Sequence, residues 1–354
     1  MKNILISTGG SGGHVVPAKI LSEHLQSSFN IFISTDLRGL KYLDNKKNEI
    51  ILIDTPKLNL NIFFIFKIFK VIYLVFKIAL FLKKNRIYSI FSTGGYMSLP
   101  VCFGAKLLGI KIFLFEPNIV LGRANRFFLR FCNKIFSYTG DLKNFPKKFK
   151  HKIQKISPLV KKNFYEKRQI KIENELFSLL VVGGSQGAKI FDDIIKDTII
   201  SLSKKNRIKI IQQTRKSNID NLKNIYNEAK IENIIFDFEE NLADLIYQSD
   251  LCITRAGAST LAELSIMNKP FLTVPLISAK DNHQSENANF YKNLDCCWVM
   301  SQKDFNVVNL EKFLDYIIMN KSEYNVKKDN LKKHNFQNSW SDINQIILDT
   351  INEN

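Results

Sequence analysis

Twice in its 354 residues the chain runs from a short apolar strand through a glycine cluster into a helical segment. The first copy is NILISTGGSGGHVVPAKILSEHL near the start, and the second is LFSLLVVGGSQGAKIFDDIIK from residue 176. This repeat constrains the fold most. Successive strands separated by helices cannot form hairpins, so they pair parallel, and a parallel sheet needs helices on both faces. The runs NIFIST (30–35), EIILID (49–54), YSIFST (88–93), IKIFLFE (110–116) and KIFSYT (134–139) follow the first copy. RIKIIQQT (207–214), NIIFDF (233–238), DLCITRAG (250–257) and PFLTVPL (270–276) follow the second. Such near-continuous apolar runs suit strands buried on both sides. The chain therefore predicts an α/β protein of two doubly wound halves. A first domain over 1–157 and a second over 158–334 are expected, divided in a lysine-rich stretch that carries Pro146 and Pro158. A helix over about 335–354 is expected to pack back on the first domain.

Composition narrows the partners. Fifty-one Lys and Arg against thirty-three Asp and Glu leave a formal charge of +18, which favours anionic partners such as phosphorylated substrates or lipid head groups. The five cysteines show neither CxxC nor a Cys/His metal spacing, so no tightly bound ion is expected, and the adjacent Cys296 and Cys297 read as buried packing.

The segment NIFFIFKIFKVIYLVFKIALFLKK (61–84) has the length of a membrane span, but its longest uncharged run is six residues. Lys67, Lys70, Lys77 and Lys84 share a sector of roughly 100° on a helical wheel. Each central lysine would cost a spanning helix about 2.5–3.5 kcal/mol. One reading is a core helix with one solvated lysine stripe. A helix lying in the interface of an anionic membrane surface fits the wide apolar sector better.

Six loops follow the expected strands, where open α/β sheets bind ligands. GGSGGH (9–14) lacks the third glycine of a dinucleotide fingerprint and the Gly-Lys-Ser/Thr of a P-loop. It ends instead in His14, an imidazole able to act as a general base near neutral pH. STGGYMSLP (92–100) is a second glycine pair. EPNIVLGRANR (116–126) puts Glu116 and Asn118 just past a buried strand, as helix caps or as site residues. VVGGSQGA (181–188) offers backbone amides and the Ser185 hydroxyl to a phosphate. TRAGASTLAEL (254–264) ends a strand at Arg255 and opens a helix at Ala258, Ser259 and Thr260, with Glu263 able to accept two hydroxyl donors or to sit as a plain surface glutamate. NHQSENA (282–288) presents Gln284 and Asn287 on one helix face.

In this order the six stretches closely resemble the MurG family of bacterial peptidoglycan GlcNAc transferases, over residues 9 to about 288. The resemblance implies a GT-B fold, with two Rossmann-like domains whose parallel sheets face across a cleft. It implies inverting, metal-independent transfer of GlcNAc from UDP-GlcNAc to the C4 hydroxyl of the muramoyl sugar of lipid I, with no cofactor. Ser11, Gly12 and Gly13 would then lie toward the acceptor diphosphate and the sugar, and Asn118 would touch the transferred sugar. Ser185 would contact the nucleotide, Ala258 to Thr260 the UDP diphosphate, Glu263 the ribose, Gln284 the GlcNAc hydroxyls, and backbone near Glu239 the uracil. Arg255 would help to stabilise the departing UDP, His14 would be the base, and Glu116 would assist or orient it. The 61–84 segment falls at the family's membrane patch, implying a peripheral protein at the cytoplasmic face of the inner membrane. One departure stands out: the family's Asn-Pro-Val-Arg is here Ser157-Pro158-Leu159-Val160, with Lys161 next as a point charge. The rival readings are another GT-B enzyme acting on a UDP-sugar, such as a glycolipid glycosyltransferase or UDP-GlcNAc 2-epimerase, and a basic membrane-binding protein without catalysis. Nucleic acid is not expected as a partner, since it would leave the six loops unexplained.

Overall fold

The computed structural model describes residues 1–10, 12–43, 49–57, 62–167, 176–183, 189–335 and 338–353. It divides into two compact units, Met1–Leu159 with Ser339–Asn354, and Val160–Asn338.

The first unit is built on strands β1 (Lys2–Ser7), β2 (Phe29–Thr35), β3 (Glu49–Leu52), β4 (Ile87–Ser92), β5 (Lys111–Glu116), β6 (Lys134–Ser137) and β7 (Ile153–Lys155). Their order is β3-β2-β1-β4-β5-β6-β7 and every pairing is parallel. Ile4, Leu5 and Ile6 in the centre are fully buried, as apolar runs covered on both faces must be. The connecting helices are α1 (Gly12–Leu25), the short α2 (Leu37–Leu40), α3 (Phe64–Lys84), α4 (Ser98–Leu107) and α5 (Arg123–Phe128). Strand order reverses between β1 and β4. That is the switch point of a doubly wound sheet, where adjacent connections leave on opposite faces and open a crevice. The two loops beside it are TGGSGGH and STGGYMSLP.

The second unit repeats the scheme with β8 (Phe177–Val182), β9 (Ile208–Gln213), β10 (Glu232–Phe236), β11 (Leu251–Thr254), β12 (Phe271–Thr273) and β13 (Cys297–Val299). Their parallel order is β10-β9-β8-β11-β12-β13. The switch point falls between β8 and β11, beside the TRAGAST turn. The helices here are α6 (Lys162–Lys167), α7 (Lys189–Ser203), α8 (Ile219–Glu228), α9 (Leu242–Gln248), α10 (Ala258–Ile266), α11 (His283–Asn293), α12 (Val307–Met319) and α13 (Lys321–His334). All five cysteines are buried free thiols, and burial pushes Cys132 up to about 11 and Cys102 up to about 12. They are inert packing groups at neutral pH.

Helix α3 has three faces. Leu74, Ile78 and Leu82 are buried against the sheet and α4. Gly104 on α4 makes that crossing close, since a Cβ there would lie 3.2 Å from the Ala79 nitrogen and 3.3 Å from the Val75 oxygen. Opposite that stripe, Ile62, Phe63, Ile65, Phe66, Phe69, Ile72, Tyr73, Phe76 and Leu80 stand exposed at or just before the helix. Lys70 and Lys77 flank this second apolar face, with Lys70 paired to Asp54 at 2.6 Å. The core-helix reading with a solvated lysine stripe therefore does not describe α3. No helix among the described residues is long and apolar enough to cross a membrane.

The final helix, α14 (Trp340–Glu353), belongs to the first unit. Trp340 stacks on His24 of α1 with ring centroids 3.6 Å apart and planes 17° from parallel. Both His24 ring nitrogens are buried with no hydrogen-bond partner in the described structure. Burial pulls the imidazole down to about 4, with the nearby Asn344 side chain opposing it. A base whose folded pKa is depressed destabilises the fold as pH falls from its ordinary 6.5 through 4, because the unfolded chain takes up the proton first. A shift of this size corresponds to roughly 3 kcal/mol between pH 7 and pH 4. Urea unfolding across that window should show His24→Phe losing less stability than the parent by about this amount. Parallel curves would mean that His24 does not carry the acid sensitivity.

Candidate active site

In the first unit the chemistry gathers at the switch point. His14 lies in the first turn of α1, half-buried, with Nδ1 2.7 Å from the Thr93 carbonyl oxygen. A carbonyl can only accept, so Nδ1 carries the hydrogen and donates it. In the neutral ring this leaves Nε2 as the basic nitrogen, the tautomer that a general base requires. Thr93 directly follows β4, and its own backbone nitrogen donates to the Ser7 carbonyl at 3.1 Å while its hydroxyl bonds that of Thr8 at 2.9 Å. The base is thus held from the strand beside its own. Beyond it, Gly94 and Gly95 adopt φ +88° and +79°. A Cβ on Gly95 would stand 4.0 Å from His14 Nε2, so this glycine keeps the imidazole edge uncovered.

Glu116 ends β5 and is 3% exposed. Its Oε1 accepts from the Asn118 backbone nitrogen at 3.3 Å and from Asn118 Nδ2 at 3.1 Å. Its Oε2 accepts from the Gly122 nitrogen at 2.8 Å and Asn125 Nδ2 at 2.9 Å. A carboxylate engaged by four donors shapes the 116–125 loop and aims Asn118. Gly12 is buried with Tyr42 nearest, and Gly13 is exposed at the start of α1. Ser11 lies outside the described residues.

In the second unit, Gly257 caps α10 in extended backbone with no side-chain capping bond. The cap residue therefore offers no acceptor to the first-turn amides of Ala258, Ser259 and Thr260, an arrangement that suits an anion. Asn287, 2% exposed on α11, donates to the Ala256 carbonyl at 3.1 Å and fixes this turn. On the same helix Gln284 accepts from the Leu276 nitrogen through Oε1 at 2.9 Å. Arg255 donates through Nη1 to the Val274 carbonyl at 3.0 Å and to Gln302 Oε1 at 3.1 Å, lying 5.0 Å from the Phe191 ring centroid. These contacts hold its guanidinium at the end of β11. Ser185 and the rest of 184–188 lie outside the described residues.

Glu263 is half-buried on α10, and burial raises its carboxyl to about 7 while the Lys161 ammonium pulls it back. Lys161 Nζ donates to the Glu240 carbonyl at 2.9 Å. Its neighbour Glu239 accepts from the Asn241 nitrogen at 2.8 Å. Lys161 therefore links the Glu240 backbone to the surroundings of Glu263. Sequence reasoning missed Thr93 and Asn125, whose partners lie on other elements, and it singled out Asn287 without its bond to the Ala256 turn. It also missed Asp36, Arg38 and Tyr96, which gather beside the first glycine turn.

The model of the glycosyltransferase family 28 N-terminal domain matches residues 4–137, and that of the family 28 C-terminal domain matches 178–343. The chain belongs to glycosyltransferase family 28. The first match runs from β1 through β6, and the second begins in β8, so each contains one switch point. A UDP-N-acetylglucosamine–N-acetylmuramyl-(pentapeptide) pyrophosphoryl-undecaprenol N-acetylglucosamine transferase of Pelagibacter ubique (strain HTCC1062) is 48% identical over 358 residues, covering 100% of this chain and 99% of its own. The like-named protein of Rickettsia bellii (strain RML369-C) is 34% identical over 94% of this chain and 96% of its own. Among solved structures, Acinetobacter baumannii MurG superposes with a TM-score of 0.80 at 22% identity over 100% of both chains. The UDP-GlcNAc 2-epimerase of Neisseria meningitidis gives 0.70 at 14% identity over 100% of both chains. At such identities both likenesses speak for the fold. Family 28 membership and the two Rossmann-like sheets agree with the fold and enzyme class that the six loops imply.

Proposed function

We propose that this family 28 chain transfers GlcNAc from UDP-GlcNAc to the C4 hydroxyl of the muramoyl sugar of undecaprenyl-diphospho-MurNAc-pentapeptide, lipid I, with inversion, to give lipid II. The observation that carries this reading is the full-length 48% identity to a transferase named for that reaction. In the step, the acceptor C4 oxygen bonds the GlcNAc C1 as the C1–O bond to the β-phosphate breaks. The proton of the hydroxyl passes to His14 Nε2, and the electron pair leaves with UDP. Supporting His14 is the Nδ1–H bond to Thr93, which fixes the tautomer. Negative charge growing on the diphosphate is met by the amides of Ala258 to Thr260, with Ser185 and Arg255 contributing. Glu263 accepts the ribose hydroxyls, the Glu239 backbone meets the uracil, and Gln284 and Asn118 bind the GlcNAc. Glu116 acts through Asn118, and Ser11 to Gly13 give room to the acceptor.

The exposed face of α3 supplies the approach to a lipid-borne substrate. Its phenylalanines would sit in the acyl boundary and its lysines at lipid phosphates, on the cytoplasmic leaflet where UDP-GlcNAc is found. Burying one such side chain is worth about 1.5–3 kcal/mol. Replacing Phe66, Phe69 and Phe76 by serine should therefore weaken binding to anionic phospholipid vesicles at least 100-fold, measured by co-sedimentation. These three side chains are 72%, 64% and 61% exposed, so the melting temperature should not fall. Unchanged vesicle binding would remove α3 as the contact.

The reaction itself is tested by following label from UDP-[¹⁴C]GlcNAc. It should move into an organic-extractable lipid-linked product in a β linkage, only when the acceptor is present. Label converted to the 2-epimer without acceptor would favour the epimerase reading.

A further inference from the structure

The feature that the mechanism leaves unused is the turn from the end of β2 into α2, Thr35-Asp36-Leu37-Arg38-Gly39. Because β2 pairs with β1, this loop emerges beside the first glycine turn. Asp36 binds it there with both oxygens. Oδ1 accepts from the Gly10 nitrogen at 2.9 Å and from the Gly39 nitrogen at 2.8 Å. Oδ2 accepts from Arg38 Nε at 3.0 Å and Arg38 Nη2 at 2.8 Å, a bidentate pair. The contact with the glycine turn is close. A Cβ on Gly39 would stand 2.2 Å from Thr35 Oγ1 and 3.2 Å from the Gly9 Cα, so only glycine fits. One carboxylate thus fixes the glycine turn and the guanidinium together. Its four donors hold it below the usual carboxylate range although burial pushes the other way.

The guanidinium is also held from the second glycine turn, because Arg38 Nη2 donates to the Tyr96 hydroxyl. Tyr96 follows directly on Gly94 and Gly95. Arg38 therefore spans the mouths of both turns beside the switch point, and its Nη2 lies 3.7 Å from where a Cβ on Gly10 would be. Yet its side chain is 51% exposed, and among the described residues its Nη1 hydrogens have no partner. Asp36 and Tyr96 thus fix the plane of the guanidinium while half of its side chain stays open to solvent. Two N–H groups in a fixed plane, beside glycines that admit a ligand closely, suit an oxyanion.

We infer that Arg38 is an acceptor-binding residue, its guanidinium taking a phosphate oxygen of the acceptor's diphosphate, with Asp36 and Tyr96 as its positioning residues. This rests on the proposed function above and adds to it a determinant of acceptor recognition. The acceptor carries two kinds of oxyanion, diphosphate and peptide carboxylate, and the test separates them.

Steady-state transfer is measured for the parent chain, Arg38→Ala, Arg38→Lys and Tyr96→Phe. Three acceptors are used: a short-chain lipid-diphospho-MurNAc-peptide, its analogue with a neutral linker for the diphosphate, and its analogue with amidated peptide carboxylates. Arg38→Ala should raise KM for the diphosphate acceptor about 10- to 100-fold, the loss of one charge-assisted pair. The same variant should change KM for the neutral-linker analogue less than twofold. Arg38→Lys, a point charge that cannot span both turns, should fall between, and Tyr96→Phe should lose most of its effect once Arg38 is alanine. UDP affinity by calorimetry should match the parent in all variants, which also reports that they fold. An equal penalty on the neutral-linker analogue would overturn the inference. So would a penalty that disappears with the amidated peptide, or a loss of UDP affinity. A parent chain that glycosylates none of the three acceptors would bring down the functional reading itself, and with it this assignment.

Discussion

Replacing His14 by alanine should lower turnover by roughly 10²- to 10⁴-fold, the ordinary contribution of a positioned general base. Affinity for UDP-GlcNAc should stay within a few-fold of the parent, because the groups proposed to hold the nucleotide belong to the other unit of the chain. The reason lies in one contact. The Thr93 carbonyl 2.7 Å from Nδ1 accepts the ring hydrogen and leaves Nε2 basic. His14→Gln would place an amide there, able to hydrogen-bond but not to take a proton, and should be nearly as slow as alanine. Single-turnover rates with saturating acceptor are the measurement. Near-parental rates in both variants would exclude His14 as the base.

The second large effect is expected at Glu263. Its alanine variant should lose two hydrogen bonds from ribose hydroxyls to a carboxylate, worth about 2–4 kcal/mol together. That corresponds to about 30- to 700-fold in UDP affinity. The site also carries a pH signature. Burial raises the Glu263 carboxyl to about 7, opposed by Lys161. Accepting two hydroxyls favours the ionised form, so UDP binding should release a proton. Affinity should climb with pH up to about 7 and level off above it. Calorimetry in buffers of different ionisation enthalpy reads the proton directly, and Glu263→Gln should abolish its release. Equal UDP affinity at pH 6 and pH 8 in the parent would contradict the ribose role.

Much of this fold was legible because the strands that matter are the buried ones. NILIS, YSIFST and IKIFLFE are continuous apolar runs ended by glycine, threonine or a carboxylate, and the structure places β1, β4 and β5 there. The two strands that sequence reasoning did not single out are β7 and β13. Each is three residues long at the margin of its sheet, and Ile153-Gln154-Lys155 or Cys297-Trp298-Val299 is too short a run to show the period of a strand. Helix α3 was legible only in outline. A hydropathy pattern tells apolar from polar faces but not which of two apolar faces meets the core, and Gly104 of α4 decides that by letting α4 approach at Val75 and Ala79.

The site shows the same division. Glycine clusters and a terminal histidine stand out in any reading, whereas Glu263 looked as much like a surface glutamate as a ligand. Its setting, half-buried with Lys161 near, comes from α6 and α10 meeting in space. Asp36, which sequence reasoning passed over, caps the short helix α2 by accepting the Gly39 amide. Its second bond, to Gly10, exists because β2 lies beside β1, and sheet order is not written in local sequence. Glu116 carried a correct signal, a carboxylate closing a buried strand, but only coordinates show all its acceptors engaged by the loop that follows.

The central claim is that sugar leaves UDP because an acceptor hydroxyl, deprotonated by His14, displaces it. Release of UDP from UDP-GlcNAc, followed with and without a lipid-diphospho-MurNAc-peptide acceptor, tests it most directly. Release should depend on the acceptor, match glycosylated lipid one to one, and nearly vanish in His14→Ala. Equal release without acceptor, or release undiminished by the loss of His14, would contradict it.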